Sequence, residues 1–577
     1  MGYNSDEIIT DRSRAQTFSA IPIPTDSKLV IARNGAVAAE QQECSNIGVE
    51  ILKEGGSAVD AAIAAELCVG TINAFSAGIG GGGFMIIRGS DGTSETIDFR
   101  EIAPAAANNS MFKDDPELAK YGGLSVGVPF LEWKSHIKSR VLHCSSTDLM
   151  FYLDVRYLNV NLNNFRYGKL PWKRLFEPSI KLSRDGFKIP FELSKHLEGT
   201  PDLAAIYAPN GILLGEGDLL KRLNFSKTLE LIANNGSDVF YKGSIADSII
   251  KSIQSTGGIM THEDLATFKP IISKPIQGYY HGRKVMTLNT PSGGPVLLSM
   301  LNILEGYRLS REGLDGKNLH RIIETLKFGF AMRTEMGDPL FTNNLERIEE
   351  IMTKDFAAKI RKNISDSITF EPSYYNPIYD VLEDHGTTHV SVVDKYNQAV
   401  SLTSTVNLIW GSRVLDSETG ILLNDQMDDF SIPGVPNYFG LRPSPYNYVQ
   451  PKKKPLSSCV PVIIEKNGEF EMAIGGSGGS RILSSILQVL LNVYEFDKDI
   501  LESIDAPRVH HQLLPNEISI ETGYSEKLME ELRKRNHSIT FVDFNAGKSE
   551  IQAVMRLSNG LVNAASDYRK HGIAAGY

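Results

Sequence analysis

Cysteine is scarce in this chain: four in 577 residues. Cys44, Cys68, Cys144 and Cys459 form no C-x-x-C pair, so the spacing indicates no zinc centre. Long apolar runs are missing too. No stretch reaches the roughly 18 residues that a transmembrane helix requires. Met1–Arg14 is polar and charged and has no apolar signal-peptide core, so the reading is a cytosolic protein or one whose anchor lies elsewhere. A basic excess is also lacking. The net charge of −10 leaves no electrostatic footprint for nucleic acid or an anionic membrane. No internal repeat or low-complexity tract occurs. Five N-x-S/T sequons (Asn108, Asn224, Asn235, Asn363, Asn536) are about what chance supplies, so they do not establish secretion.

What is present is a globular composition with apolar residues enough for a large core. Residues 1–30 read as a mobile leader. Gly55-Gly-Ser-Ala-Val-Asp60 opens a helix, with Ser57 as N-cap and Asp60 completing a capping box. The Ala-rich run to Cys68 is apolar on nearly every side, which predicts a buried helix. Gly78 and Gly80–Gly83 satisfy G-x-G-x-x-G. A dinucleotide fold needs a strand before and a helix after, and here the order is reversed. A tight glycine turn leading into a strand at Phe84–Arg88 fits better, followed by a second strand at Ser94–Phe99. Residues 170–370 alternate helical patterns with Gly and Pro breaks. Short strands follow at Thr388–Asp394, Ala399–Thr405, Val460–Glu465 and Glu471–Ile474. Two groups of strands flanked by helices predict a layered α/β or α+β architecture. Residues 130–166 mix bulky apolar and basic residues without a period.

Gly386-Thr387-Thr388-His389 carries the chemistry. Cleavage between Gly386 and Thr387 would leave Thr387 with a hydroxyl and a free amine, a nucleophile with its own base. The same T-T-x-V-x-V-V pattern also suits an ordinary buried strand. Other segments bear on that choice. They are G-G-S-A-V-D-A-A-I-A-A at 55–65, D-F-R-E-I-A-P at 98–104, T-S-T-V-N at 403–407, G-I-L-L-N-D-Q-M-D-D-F at 420–430, K-P-L-S-S at 454–458 and G-G-S-G-G-S-R at 475–481. Together, in this order, they resemble the γ-glutamyltranspeptidases, N-terminal-nucleophile hydrolases. The resemblance runs from about residue 30 to Tyr577, interrupted at 130–166.

The resemblance implies an α+β fold, a four-layer αββα sandwich whose two subunits intertwine. It implies a large subunit, residues 31–386, and a small catalytic one, residues 387–577, forming a heterodimer after self-cleavage at Gly386/Thr387. Thr387 matches the nucleophile and Thr405 the hydroxyl that orients it. Gly478 and Gly479 match an oxyanion hole; by composition alone they read as a flexible loop. Arg100 matches the group that holds the substrate α-carboxylate, with Ser457 and Ser458 adding hydrogen bonds. Asp429 matches the group that binds the α-ammonium, with Asn407 and Gln426 beside it. Cys44 and Cys68 fall where animal-type members carry a disulfide; two buried thiols are the alternative. No metal and no cofactor is implied, and His510-His511 reads as structural. Implied substrates are glutathione and other γ-glutamyl amides, with water, amino acids or dipeptides as acceptors. The implied compartment is the secretory pathway, the extracellular face of a membrane or a vacuole. Residues 130–166 depart from the pattern as an atypical insertion or translated intervening sequence. Two other readings stand beside this one: a glutaryl- or cephalosporin-type amidase of the same fold, and an unprocessed, inactive pseudoenzyme.

Overall fold

The structure, a computed structural model, describes residues 28–129, 167–197, 203–209, 211–380, 387–434, 440–543 and 549–577. Gly386, Cys144, most of the leader and the atypical 130–166 segment lie outside the described residues.

Ser57 caps helix α2 (Ala58–Ile72) as its sequence predicts, and Asp60 completes the capping box. Every residue of α2 except Glu66 is buried. Its neighbour is α1 (Gln42–Lys53), and a disulfide joins Cys44 of α1 to Cys68 of α2 at an S–S distance of 2.04 Å. The bridge spans 24 residues. Replacing both cysteines by alanine is expected to cost about 3 kcal/mol of stability. A fall in the thermal midpoint under non-reducing conditions, reproduced by a reductant on the unsubstituted protein, is the check.

Fourteen strands make two seven-stranded sheets. They are β1 (Val30–Ala32), β2 (Ala36–Ala38), β3 (Gly82–Arg88), β4 (Ser94–Asp98), β5 (Ile271–Ser273), β6 (Ile276–Tyr280) and β7 (Arg283–Thr287), then β8 (Thr388–Val393), β9 (Ala399–Thr405), β10 (Val462–Lys466), β11 (Glu469–Ser477), β12 (Glu550–Arg556), β13 (Val562–Ser566) and β14 (Ala575–Gly576). One sheet has the order β1-β13-β12-β11-β10-β7-β6, the other β14-β2-β8-β9-β3-β4-β5. The sheets stack face to face, with β8 and β9 against β11 and β12. Helices α1 and α2 cover the second sheet, with α3 (Trp172–Asp185) packed on α2; α4 (Gly294–Leu304) and α6 (Arg481–Tyr494) cover the first, with α5 (Gly316–Arg333) packed on α4. This is the four-layer αββα sandwich that the resemblance implies.

Period-two patterning sorts the central strands. Val390, Val392, Val400 and Leu402 enter the core shared with the helices. The alternate positions His389, Ser391, Ser401 and Thr403 are all buried and polar. They are satisfied between the sheets: Ser391 Oγ donates to the Gln552 carbonyl at 3.0 Å and Ser401 Oγ to the Ile474 carbonyl at 2.9 Å. Such bonds fix how one sheet sits on the other.

The glycine turn before β3 packs as its sequence predicts. A Cβ on Gly80 or Gly81 would stand 2.0 Å from the carbonyl oxygen of Leu422 or Thr405. The G-G-S-G-G-S stretch divides, contrary to its loop-like composition. Gly475–Ser477 continue β11 and pair with Glu550–Gln552, and only the second half turns.

Candidate active site

Thr387 stands just before β8, and the hairpin register pairs Thr388 with Ser404. That register sets Thr387 beside Thr405. Thr387 Oγ1 donates to Thr405 Oγ1 at 3.4 Å, and the Asn407 N–H donates to the same oxygen at 2.8 Å. Thr387 is buried and has φ of 116°, a region that β-branched residues rarely occupy. Backbone strain of this kind costs of order 1–3 kcal/mol and is held only by its surroundings.

Arg100 follows β4 and is buried. Its Nη2 contacts Asp429 Oδ2 and donates to the Leu456 carbonyl at 3.0 Å. Burial works against the guanidinium charge, but the Asp429 and Glu101 carboxylates outweigh it and hold the pKa above the ordinary arginine value. Gln426 Nε2 donates to Asp429 Oδ2 at 2.7 Å, and Asn407 Nδ2 to the Asp425 carbonyl at 3.3 Å. Ser457 Oγ accepts the Cys459 N–H at 3.1 Å. Ser458 Oγ is buried without a partner among the described residues. A buried hydroxyl without a partner costs about 1–3 kcal/mol, which an incoming polar group can recover.

These groups converge. Arg100, Thr387, Thr405, Asn407, Asp429, Ser457, Ser458 and Gly479 line one cleft. Gln426 joins through Asp429. Gly478 precedes Gly479 in the turn from β11 into α6, with φ of 110° and 59°. Both values suit glycine, and the turn opens a helix N-terminus where backbone N–H groups favour negative charge.

His389 lies between the sheets, against Gly475 of β11. Its Nδ1 lies 2.8 Å from Thr403 Oγ1 and its Nε2 3.0 Å from Ser391 Oγ. A Cβ on Gly475 of β11 would stand 2.2 Å from the ring, so only glycine lets the sheets close there. Burial pulls the His389 pKa down to about 3. An unfolded histidine takes up its proton near pH 6.5, whereas the folded one resists to about 3. Stability is therefore lost as pH falls from 6.5 toward 3. His389→Gln is expected to flatten that slope by about 1.4 kcal/mol per pH unit, read from unfolding midpoints between pH 6 and 4.

Two groups in this region escape the motif reading. Cys459 lines the cleft, and its only sequence signal is adjacency to Ser457-Ser458. Glu101 is buried beside Arg100, no side chain among the described residues hydrogen-bonds its carboxylate, and burial raises its pKa to about 7. Spacing alone does not show a carboxyl whose pKa burial lifts in this way.

Among the described residues, one group could hold a metal: His320, Glu324 and His537. Their donor atoms are already engaged. The Ser365 carbonyl lies 2.6 Å from His320 Nε2, His537 Nε2 lies 2.7 Å from His320 Nδ1, and Thr369 and Tyr375 hydroxyls reach Glu324. This is a satisfied polar core. His510 is likewise engaged by Ser484 and Gln512, and His511 Nδ1 accepts the Leu513 N–H.

Comparison with known proteins follows the same lines. The family model described as Gamma-glutamyltranspeptidase matches residues 44–131 and 163–577, leaving out most of the atypical segment. The chain is 43% identical over 564 residues to Glutathione hydrolase proenzyme 1 of Schizosaccharomyces pombe, covering 95% of this chain and 85% of that one. It is 36% identical to the Glutathione hydrolase proenzyme of Escherichia coli, covering 95% and 93%. Among solved structures, Helicobacter pylori gamma-glutamyltranspeptidase superposes with a TM-score of 0.51 at 30% identity, over 61% of this chain and 96% of that one. The cephalosporin acylase of Bacillus halodurans superposes at 0.81 over 96% and 98%, and at 23% identity it speaks for the fold alone.

Proposed function

The chain belongs to the gamma-glutamyltranspeptidase family, and from that premise we propose that Thr387 is its nucleophile, freed by cleavage of the Gly386–Thr387 bond. The protein is an enzyme of the glutathione hydrolase kind. The observation that carries the residue assignment is the placement of the Thr387 hydroxyl in one cleft with the Arg100–Asp429 pair and the unpartnered Ser458 hydroxyl.

In the precursor, Thr387 Oγ1 attacks the Gly386 carbonyl and the acyl group moves from nitrogen to oxygen. Water then hydrolyses the ester, releasing the Gly386 carboxylate and the Thr387 amine. The two products, residues up to 386 and residues 387–577, stay together as a heterodimer, with residues 130–166 as an insertion in the larger one. In turnover, that amine takes the hydroxyl proton while Oγ1 attacks the γ-carbonyl of the substrate. The N–H groups of Gly478 and Gly479 receive the oxyanion, where one such donor contributes about 3 kcal/mol. The leaving amine departs with the proton. Water, an amino acid or a dipeptide then resolves the γ-glutamyl ester on Thr387.

The glutamate end of glutathione carries both an α-carboxylate and an α-ammonium. It binds by exchange with the internal ion pair. Its carboxylate takes Asp429's place at Arg100 and meets the Ser457 and Ser458 hydroxyls, while its ammonium meets Asp429, with Gln426 and Asn407 alongside. Charge is conserved at both ends, so neither buried ion is stranded.

Intact mass measurement is the direct test, together with amine release from a γ-glutamyl anilide. Two fragments meeting at Thr387 and steady release are expected. A single full-length mass with no release would leave an unprocessed, inactive protein. A glutaryl anilide cleaved as well as the γ-glutamyl compound would favour the amidase reading.

A further inference from the structure

We propose that Lys570 is the positioning residue of this site: one buried ammonium ties the nucleophile's main chain to the residue that leads into the oxyanion turn. The inference rests on the assignment of Thr387, Gly478 and Gly479 above. Lys570 Nζ donates to the Thr387 carbonyl at 3.1 Å and to Ser477 Oγ at 3.3 Å. Ser477 immediately precedes Gly478. The Lys570 ammonium is also within 3.1 Å of Glu40 and 3.3 Å of Glu550. Ser477 Oγ reaches Glu40 at 3.1 Å and Glu550 at 2.5 Å, so the hydroxyl and the ammonium share both carboxylates.

Lys570, Thr387, Ser477, Glu40 and Glu550 are all buried, which makes the network rigid and its charges strong. Burial opposes the Lys570 charge, but Glu40 and Glu550 outweigh it and hold the ammonium protonated. The lysine is itself anchored. It closes a short turn whose neighbours Asp567 and Arg569 form a buried ion-pair cluster with Arg508 and Glu521.

The strained φ of Thr387 requires an external hold. The bond from Lys570 to its carbonyl supplies that hold and links it to the neighbouring sheet. Thr387 leads into the sheet that contains β8, whereas Ser477 ends β11 in the other sheet. Without the clamp, nucleophile and oxyanion donors are free to shift relative to one another, and a misplacement near 1 Å costs on the order of 100-fold. Lys570, Ser477, Glu40 and Glu550 stand outside the lining of the cleft that holds the residues assigned to the glutamate end.

The test is Lys570→Met, with cleavage followed by intact mass and with kcat and KM measured on the cleaved fraction using a γ-glutamyl anilide. Slower cleavage and a kcat about 100-fold lower, with KM within about threefold, are expected. A cleaved variant with kcat within about threefold of the unsubstituted enzyme overturns the proposal, as does a loss confined to KM. If Lys570→Met gives no soluble protein, Ser477→Ala decides. It keeps the lysine and both carboxylates and removes only the hydroxyl link. A kcat about tenfold lower at constant KM supports the clamp, and an unchanged kcat sinks it. Failure of the Thr387 assignment itself shows differently, as activity and cleavage that survive loss of the threonine.

Discussion

Thr387→Ala yields a single chain of 63.6 kDa that is folded, uncleaved and inactive. The expected loss in kcat is on the order of 10^6-fold, the scale seen when a covalent nucleophile is deleted. The fold should survive because, among the described residues, the Thr387 hydroxyl hydrogen-bonds Thr405, which keeps its bond from Asn407. Thr387→Ser retains the hydroxyl and, once cleaved, the amine, so it should keep both cleavage and measurable turnover. Mass spectrometry separates the outcomes: alanine gives one mass, serine gives two. Wild-type cleavage or turnover in the alanine variant would move the chemistry to another residue.

Asp429→Asn is the second large effect. It strips Arg100 of its counter-ion in a buried place, and breaking one half of such a pair typically costs about 3–5 kcal/mol. Part of that cost falls on stability. The rest falls on substrates that carry an α-ammonium, so kcat/KM for a γ-glutamyl anilide should drop by about 10^2 to 10^3. A glutaryl anilide lacks the ammonium and has less to lose. The preference for γ-glutamyl over glutaryl should therefore narrow sharply in the variant. An unchanged preference would remove Asp429 from the ammonium site.

Much of this arrangement is legible in the sequence because its signals are local. Ser57 and Asp60 sit three apart, and a capping box needs nothing else. Val390 and Val392 alternate with His389 and Ser391, and a two-residue period reports a strand. The motif order identifies which polar residues to bring together, and all but Gln426 and Gly478, which adjoin it, line one cleft. Other features are not local. Gly475–Ser477 read as loop because glycine has no strand preference; pairing with Glu550–Gln552, far along the chain, makes them strand. The raised pKa of Glu101 comes from burial, which outweighs the opposing pull of Arg100. Lys570 is an unremarkable residue in a short turn until the fold brings Glu40 and Ser477 to it from 530 and 93 residues away.

The interleaved strand order has a consequence for the order of events in the life of this protein. In the second sheet β8 and β9 lie between β2 and β3, and in the first β1 pairs with β13, near the other end of the chain. Neither sheet can be completed until ribosomal synthesis has passed residue 566. Folding of this topology is dominated by contacts distant along the chain, a slow route with a large loop-closure cost. The peptide link at residue 386 keeps both halves at high effective concentration during that search. Two halves made separately would have to thread strands between one another as independent molecules. Under the proposed cleavage at Gly386, the link would serve as an assembly tether with a finite useful life, and a cut that waits for the finished cleft would come only when the tether is no longer needed.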